Sequence, residues 1–292
     1  MQHKKTTTPL QAFTDRIERF AQRNPIRSGA KAIVDDLVQL QFNCLAHVLP
    51  VNHPFDGAVW FDDRHLIALD EYRDHPKAWA NLVALGVEYQ KLVATSVPFA
   101  DLLSDFYGAS IAPKSAKAQA QFMTPTYVAD VVTRFALDKS APVDAGEPDQ
   151  IADPTCGAGA LLLAHLRHRF VTHGKAGVAC TYVLANDIDP AMMRLATVQI
   201  GTSCLVHQVP LGGLMMYRAN LIADYNMKDT LAVSIHPNVE QAVKHGHHDD
   251  VMTALQARAS IEPWPEGEHL PALIWALAAL KVTASKANGL TA

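Results

Sequence analysis

The sequence predicts an α/β fold in which a mainly helical N-terminal domain precedes a domain built on a parallel β-sheet. From residue 150 onward, short apolar runs that suit β-strands alternate with longer segments of helical spacing, which is the order typical of a parallel sheet. Before residue 110, apolar residues recur mostly at intervals of three and four, as in amphipathic helices. A hydrophobic content of 49% over 292 residues is enough to bury at least one large core.

The N-terminal third is predicted to be a helical domain behind a short tail. Residues 1–9 are polar and predict a disordered tail. Residues 10–111 contain "LQAFTDRIERFAQR" and "GAKAIVDDLVQLQFNCLAHVL", both with an amphipathic pattern. Two β-like runs around Asp62 and Asp63 indicate either a hairpin or a structured loop, and the pattern leaves both open.

A linker is predicted between the two domains. Residues 112–120, "APKSAKAQA", are small and polar, as in flexible connectors. The second domain is predicted at residues 121–285 and a tail at residues 286–292. Near its start, Pro125 suits the first position of a helix and Thr124 its N-cap.

Composition excludes several classes of protein. No apolar stretch approaches the roughly 20 residues that a membrane-spanning helix needs, and the N-terminus lacks the apolar core of a signal peptide. We therefore expect a cytoplasmic protein with no membrane partner. The cysteines lack the spacing of a zinc site or a disulfide framework, and they are Cys44, Cys156, Cys180 and Cys204.

Two further patterns concern ligands. The stretch "VKHGHHDD", residues 243–250, is rich in His and Asp but lacks the fixed spacing of a metal site, so no metal is predicted. The formal net charge of -4 gives no global cationic field. Contact with nucleic acid would therefore need local positive charge or a second subunit.

The stretch "QIADPTCGAGALLLAHL", residues 150–166, predicts a strand, a glycine turn and a helix. In parallel sheets, ligands bind beyond the carboxyl ends of the strands, where glycines admit the ligand and a helix N-terminus offers free N–H groups. Gly157 and Gly159 suit this role, although the same spacing occurs in purely structural turns. Asp153 would repel a pyrophosphate but suits an ammonium or sulfonium group, which favours S-adenosylmethionine.

A second acidic turn follows the next β-run, in "YVLANDIDP". Asp187 at the end of this run is placed to accept both hydroxyls of a ribose. Asp189 suits the N-cap of the following helix. The pattern also permits a capping role for both carboxylates.

Several motifs together resemble, in order and spacing, the N6-adenine DNA methyltransferases of type I restriction-modification systems. The most specific are "QFMTP", similar to the family's Q-F-F/Y-T-P, and "DPTCGAG", similar to D-P-x-C-G-S/T-G; "DLLSDFYGASI", "ANDIDPAMMRLA" and "YRANLIAD" accompany them. The likeness covers about residues 98–240. It implies a Rossmann-like, S-adenosylmethionine-dependent methyltransferase domain. We expect this domain to be shortened at its C-terminus, because the family continues with further strands after the point where this chain stops.

The resemblance implies two groups of cofactor-binding residues. One group would close over the methionine end of S-adenosylmethionine: Gln121, Phe122, Thr124 and Pro125. The other would form the loop beneath it: Asp153, Pro154, Cys156, Gly157 and Gly159. Asp187 stands where the family binds ribose, and Asn220 where an Asp or Asn contacts the adenine amino group.

The family's catalytic motif, N-P-P-F/Y, is altered in this chain. In the family, two acceptors hold the adenine amine and an aromatic ring stacks on the flipped base. Here "SIHPNV" places His236, Pro237, Asn238 and Val239 at the motif. Stacking is worth about 1–3 kcal/mol per base, and a valine cannot supply it. If the chain is active, His236 and Pro237 would form the clamp.

The resemblance therefore implies DNA as a partner, with a separate specificity or partner subunit and a hetero- or homo-oligomeric assembly. Two functions stay open. The first is methyl transfer from S-adenosylmethionine to the amine of a flipped adenine. The second is a catalytically inactive protein of the methyltransferase fold that binds DNA or a restriction-modification partner. A changed acceptor, protein or RNA, is a third interpretation of the altered motif.

Overall fold

The computed structural model describes residues 8–51, 58–110, 123–137, 148–224, 227 and 229–244, called the described residues. They form a mixed α/β structure with one five-stranded sheet. The helices are α1 Pro9–Arg23, α2 Ala30–Val48, α3 Pro76–Thr95, α4 Ser104–Ser110, α5 Thr126–Leu137, α6 Ala160–Ala179, α7 Pro190–His207 and α8 Val239–Lys244. The strands are β1 Val59–Phe61, β2 Asp149–Asp153, β3 Thr181–Asn186, β4 Gly213–Tyr217 and β5 Leu231–Ile235. The α/β class predicted from the sequence is confirmed.

The sheet is mixed rather than wholly parallel. Its strand order is β1-β5-β4-β3-β2. Strands β2, β3 and β4 are parallel neighbours, whereas β5 is antiparallel to both β4 and β1. The antiparallel β4–β5 pairing extends beyond Tyr217, since the Arg218 N–H donates to the Thr230 carbonyl at 2.8 Å. A parallel pairing would need a crossover, usually helical, and the described part of this connection contains only turns.

The strand order decides where a ligand site can form. In a doubly wound sheet the order reverses beside the first strand of the fold, and ligands bind at that reversal. Among the described strands, β2 is an outermost strand and pairs with β3 alone, while β5 pairs with β4. The described sheet therefore lacks this reversal, and the carboxyl ends of β2, β3 and β4 simply lie side by side.

The N-terminal helices share one hydrophobic core with the sheet. Helices α2 and α3 pack on α7, and the core runs from Phe13 in α1 through Leu37 in α2 to Val198 in α7 and Val183 in β3. Helix α7 is buried on nearly every side, as expected for a helix that is apolar around most of its circumference. Strand β1 also joins the sheet. The boundaries at residues 10–111 and 121–285 stay predictions, but the two stretches pack together.

Local predictions have different outcomes. The run at β1 forms a strand that pairs with β5, and short 3-10 helices follow it, so the described residues show no local hairpin around Asp62. Helix α1 begins at Pro9 with Thr8 as its N-cap. Helix α5 begins at Thr126, one residue later than the sequence predicts. The linker at residues 112–120 and the tail at residues 286–292 lie outside the described residues.

Candidate functional site

The carboxyl ends of β2, β3 and β4 meet at one edge of the sheet and open into a pocket of about 640 Å³, called the carboxyl-edge pocket. A polar side chain at or just after the end of each strand lines this pocket: Asp153 at the end of β2, Asp187 after β3 and Asn220 after β4. Seven residues predicted to hold the cofactor line it: Thr124, Asp153, Pro154, Cys156, Gly157, Asp187 and Asn220. The structure therefore brings together parts of the chain that are up to about a hundred residues apart in sequence.

The glycine turn between β2 and α6 requires its glycines. Gly157 has a φ of 53° and Gly159 a φ of 85°, a left-handed conformation that strains residues with a side chain. A Cβ at Gly159 would also lie 3.2 Å from Cβ of Ala196 in α7. Gly159 caps α6 without a side-chain hydrogen bond, and Ala160 and Leu161 of its first turn line the pocket. The free N–H groups at the start of α6 therefore lie beside the pocket.

Asp187 ties the glycine turn to the end of β3. Its Oδ2 accepts the Gly157 N–H at 2.8 Å and its Oδ1 accepts the Asp189 N–H at 2.9 Å. Burial raises the pKa of Asp187 above its ordinary value of 3.8, and the charges of Asp189 and Asp153 add to the rise, while the two N–H groups oppose it. A carboxylate oxygen has two lone pairs, so each oxygen keeps an acceptor position for a ligand hydroxyl.

Three carboxylates give the pocket an acidic lining. Burial raises the pKa of Asp153 above 3.8, and the Thr155 N–H, which donates to Asp153 at 3.1 Å, offsets this only in part. Asp153, Asp187 and Asp189 line the pocket, and among the described residues no Lys or Arg lines it. The predicted N-cap is confirmed, because Asp189 Oδ1 accepts the Ala191 N–H at 2.8 Å. A cationic ligand is therefore favoured over an anionic one.

Asn186 holds the three turns together, although it was not singled out from the sequence. This buried residue donates from its amide to the carbonyls of Pro154 at 2.9 Å and Ala219 at 3.2 Å, and its Oδ1 accepts the Ala219 N–H at 3.0 Å. The turns after all three strands are thus fixed by one side chain. The sequence feature that could have identified Asn186 is its position as the polar residue that ends the apolar run "YVLAN".

Gln199 is a second residue that the sequence reasoning missed. It is buried in α7, and its amide donates to the Ala158 carbonyl at 3.1 Å. Its Oε1 accepts the N–H groups of Leu102 at 3.0 Å and Leu103 at 3.1 Å. Gln199 therefore joins the segment before α4, which leads directly into the pocket residue Ser104, to the glycine turn. The signal available in the sequence was an amide side chain between two apolar residues, Val198 and Ile200.

The structure does not bring His236 and Pro237 to this pocket. Because β5 runs antiparallel to β4, its last residue pairs near the start of β4, and His236 follows at the opposite edge of the sheet. The His236 ring stacks on Tyr182 at the start of β3, with ring centroids 6.0 Å apart. Pro237 lines a separate cavity of about 280 Å³ with Asp149 at the start of β2. Strand direction therefore places His236 and Pro237 away from Asp153 and Asp187, contrary to the position expected for a catalytic clamp.

The remaining site residues are partly accounted for. Gln121 and Phe122 lie outside the described residues. Pro125 lies beside Thr124 but does not line the pocket, and Met123 does. Gly159 shapes the turn behind the pocket wall. The asparagine Asn220 is exposed, and its Oδ1 accepts the Ile222 N–H at 3.1 Å.

The described residues contain neither a metal-binding cluster nor a membrane-spanning helix. No group of three or more His, Cys, Asp or Glu side chains is placed there to hold a metal ion. Among the described helices, none is long and apolar enough to cross a membrane.

Comparison with known proteins gives one match. Residues 99–230 match the family model described as N-6 DNA Methylase, which is less than half of the 292-residue chain. No curated protein and no solved structure matches the chain. The matched segment runs from just before α4 to the residue before β5, and it contains every residue that lines the carboxyl-edge pocket. The match supports the N6-adenine methyltransferase family, and residues 99–230 are therefore similar to N-6 DNA methylases in the part of the chain that forms the candidate site.

Proposed function

We propose that the protein is a DNA adenine-N6 methyltransferase-like protein that binds S-adenosylmethionine in the carboxyl-edge pocket. The observation that carries this proposal is a pocket with three carboxylates at the ends of adjacent strands, inside the segment that matches N-6 DNA methylases. S-adenosylmethionine bears a positive sulfonium, which such a pocket would stabilise. The pocket volume of about 640 Å³ also lies within the range of about 300–1,000 Å³ that is usual for small-molecule sites.

The residues present fit this cofactor. Asp187 keeps acceptor positions on both carboxylate oxygens, which suits a ribose with two adjacent hydroxyls. Asp153 and the turn through Gly157 would lie beneath the charged end of the cofactor, and Thr124 would flank it. Gln121 and Phe122 belong to the same proposal through the "QFMTP" motif.

When bound, the cofactor would supply an electrophilic methyl group. The residues of the chain would orient it: Asn186 fixes the three turns, and Asp187 holds the glycine turn at the end of β3. Direct transfer of this kind depends on positioning the acceptor rather than on a covalent enzyme intermediate. The acceptor would be a base extruded from duplex DNA, since an adenine amine inside the stack cannot be reached.

A second function is favoured by a specific observation. The residues at the N-P-P-F/Y position, His236 to Val239, lie at the edge of the sheet opposite the pocket. The described residues therefore provide a cofactor-type pocket without the expected clamp for the adenine amine. This supports a catalytically inactive relative that binds DNA or a restriction-modification partner.

The assembly is part of the same proposal. A separate specificity or partner subunit would supply sequence recognition, and the protein would act in the cytoplasm as a hetero- or homo-oligomer. Restriction-modification is the setting implied by the motifs.

Cofactor binding is tested by calorimetry with S-adenosylmethionine and the Asp187→Asn variant. We expect micromolar binding by the unaltered protein and a loss of at least tenfold in the variant, because an amide nitrogen cannot accept a ribose hydroxyl. Asp63→Asn is the matched control, since Asp63 is an exposed carboxylate outside the pocket. Absence of binding at millimolar S-adenosylmethionine would reject the cofactor site.

Methyl transfer separates the two functions. Labelled S-adenosylmethionine is incubated with mixed-sequence duplex DNA, RNA and a protein extract. Transfer to the adenine amine of DNA supports the active enzyme. Cofactor binding without transfer to any of the three supports the inactive relative, and transfer only to RNA or protein contradicts DNA as the acceptor.

A further inference from the structure

A second large cavity lies away from the pocket, between helices α1 and α3. It is a groove of about 1000 Å³. One wall carries Arg16, Arg19 and Arg23 of α1, and the other carries Lys77 near the start of α3. The spacing of three and four residues places the three arginines on one face of α1.

The charge of this groove is opposite to that of the whole chain. The protein has a formal net charge of -4, but four basic side chains line the groove against one carboxylate, Asp74. Arg16 is paired with Glu88 on α3. Among the described residues, Arg19, Arg23 and Lys77 form no ion pair, and all three are exposed.

The surroundings do not cancel this charge within the groove. Asp15 and Glu18 lie on α1 but do not line the groove. Arg27, just beyond α1, forms ion pairs with Glu71 and Asp36. The groove therefore concentrates unpaired cations at one place on an otherwise acidic protein, which is the local positive charge that contact with a polyanion requires.

We propose that this groove binds the phosphate backbone of duplex DNA. The two unpaired arginines of α1, Arg19 and Arg23, are four residues apart, or about 6 Å along a helix at 1.5 Å per residue. This equals roughly two base pairs of duplex, with a phosphate every 3.4 Å on each strand. Side chains from two walls would contact the backbone without reading bases, so the groove would position DNA without selecting its sequence.

The choice of DNA over another polyanion rests on the proposed function, because residues 99–230 match DNA methylases. The groove lies outside the matched segment, and none of its residues lines the carboxyl-edge pocket. It would add a contact for DNA that neither the family match nor the pocket assigns.

The test is fluorescence anisotropy of a labelled mixed-sequence duplex of about 30 base pairs, titrated with the full chain over a series of salt concentrations. The groove variant is Arg19→Gln/Lys77→Gln, which removes one cation from each wall. Each phosphate contact contributes about 0.9 to the slope of log affinity against log salt, so the slope should fall by about 2. Affinity at 0.1 M salt should fall by roughly 10- to 60-fold.

The matched control is Lys91→Gln/Lys175→Gln, which makes the same change in net charge at two exposed lysines outside the groove. The control should leave the slope within about 0.5 of the unaltered protein. Equal losses in the two double variants would overturn the proposal. Binding of a polyglutamate peptide in the groove, with no binding of the duplex, would also overturn it and favour an acidic protein partner.

These measurements are made without cofactor, so the groove and the proposed function can fail separately. Groove-dependent DNA binding in a protein that does not bind S-adenosylmethionine would support the groove and reject the cofactor site. Cofactor binding with DNA affinity unchanged in Arg19→Gln/Lys77→Gln would reject the groove and leave the cofactor site standing.

Discussion

The two ends of strand β2 carry the same residue type in opposite electrostatic surroundings. Asp149 begins the strand and Asp153 ends it. At the first end, Asp149 Oδ2 lies 2.6 Å from Nε2 of His165 and 3.4 Å from Nε of the buried Arg169. At the other end, Asp153 accepts one backbone N–H and faces further carboxylates.

The difference shows in the two pKa values. Burial acts to raise the pKa of Asp149, but the hydrogen bond to His165 and the charges of His165 and Arg169 outweigh it, so the pKa falls below 3.8. Burial raises the pKa of Asp153, and no cation opposes it. One carboxylate stabilises the fold through its partners, and the other is left for a ligand. The amino edge of the sheet is therefore structural, and the carboxyl edge is suited to binding.

The largest expected effect is loss of stability at the amino edge. Asp149→Asn would leave the Arg169 guanidinium, which is 3% exposed, without its carboxylate. Removing one partner of a buried ion pair costs about 3–5 kcal/mol, so we expect a loss of about 3 kcal/mol in the free energy of unfolding, measured by urea denaturation at pH 7. A loss below about 1 kcal/mol would contradict a structural role for the pair.

Asp153→Asn is the matched change at the other end of the same strand. Because ionised Asp153 is destabilising in the fold, the free energy of unfolding should stay the same or rise by up to about 1 kcal/mol. Calorimetric affinity for S-adenosylmethionine should fall by about tenfold, since the pocket would lose a negative charge. A loss of stability equal to that of Asp149→Asn would break the comparison, because it would make both ends of β2 structural.

The elements that were predicted correctly depend on interactions between residues that are close in sequence. The strand, glycine turn and helix around Gly157 follow from about fifteen consecutive residues, and the Asp189 cap follows from its bond to Ala191. The position of Asp187 beside the turn also follows, because parallel strands end at the same edge.

The orientation of β5 could not be predicted in this way. The apolar run at Leu231–Ile235 is compatible with either direction, and its direction is set by the turn after β4 and by pairing with β1, more than 160 residues earlier. The edge reached by His236 follows from that direction. Gln199 was missed for a similar reason, because its partners Leu102 and Ala158 are distant in sequence.

The smallest expected effect is the pH dependence of the same two substitutions. The folded-state pKa of Asp153 is raised, so folding disfavours its ionised form, and any stability gained by Asp153→Asn should be present at pH 7 and vanish as the pH falls toward 3.8. The folded-state pKa of Asp149 is lowered, so the stability lost in Asp149→Asn should persist down to about 3.8 and vanish only at lower pH, as the native carboxylate protonates. Urea denaturation of the three proteins between about pH 2.5 and 7 measures both differences. If the stability differences of Asp153→Asn and Asp149→Asn changed over the same pH range, the two carboxylates would not differ in charge compensation. The assignment of the ligand site to the Asp153 end of β2 would then lose its electrostatic support.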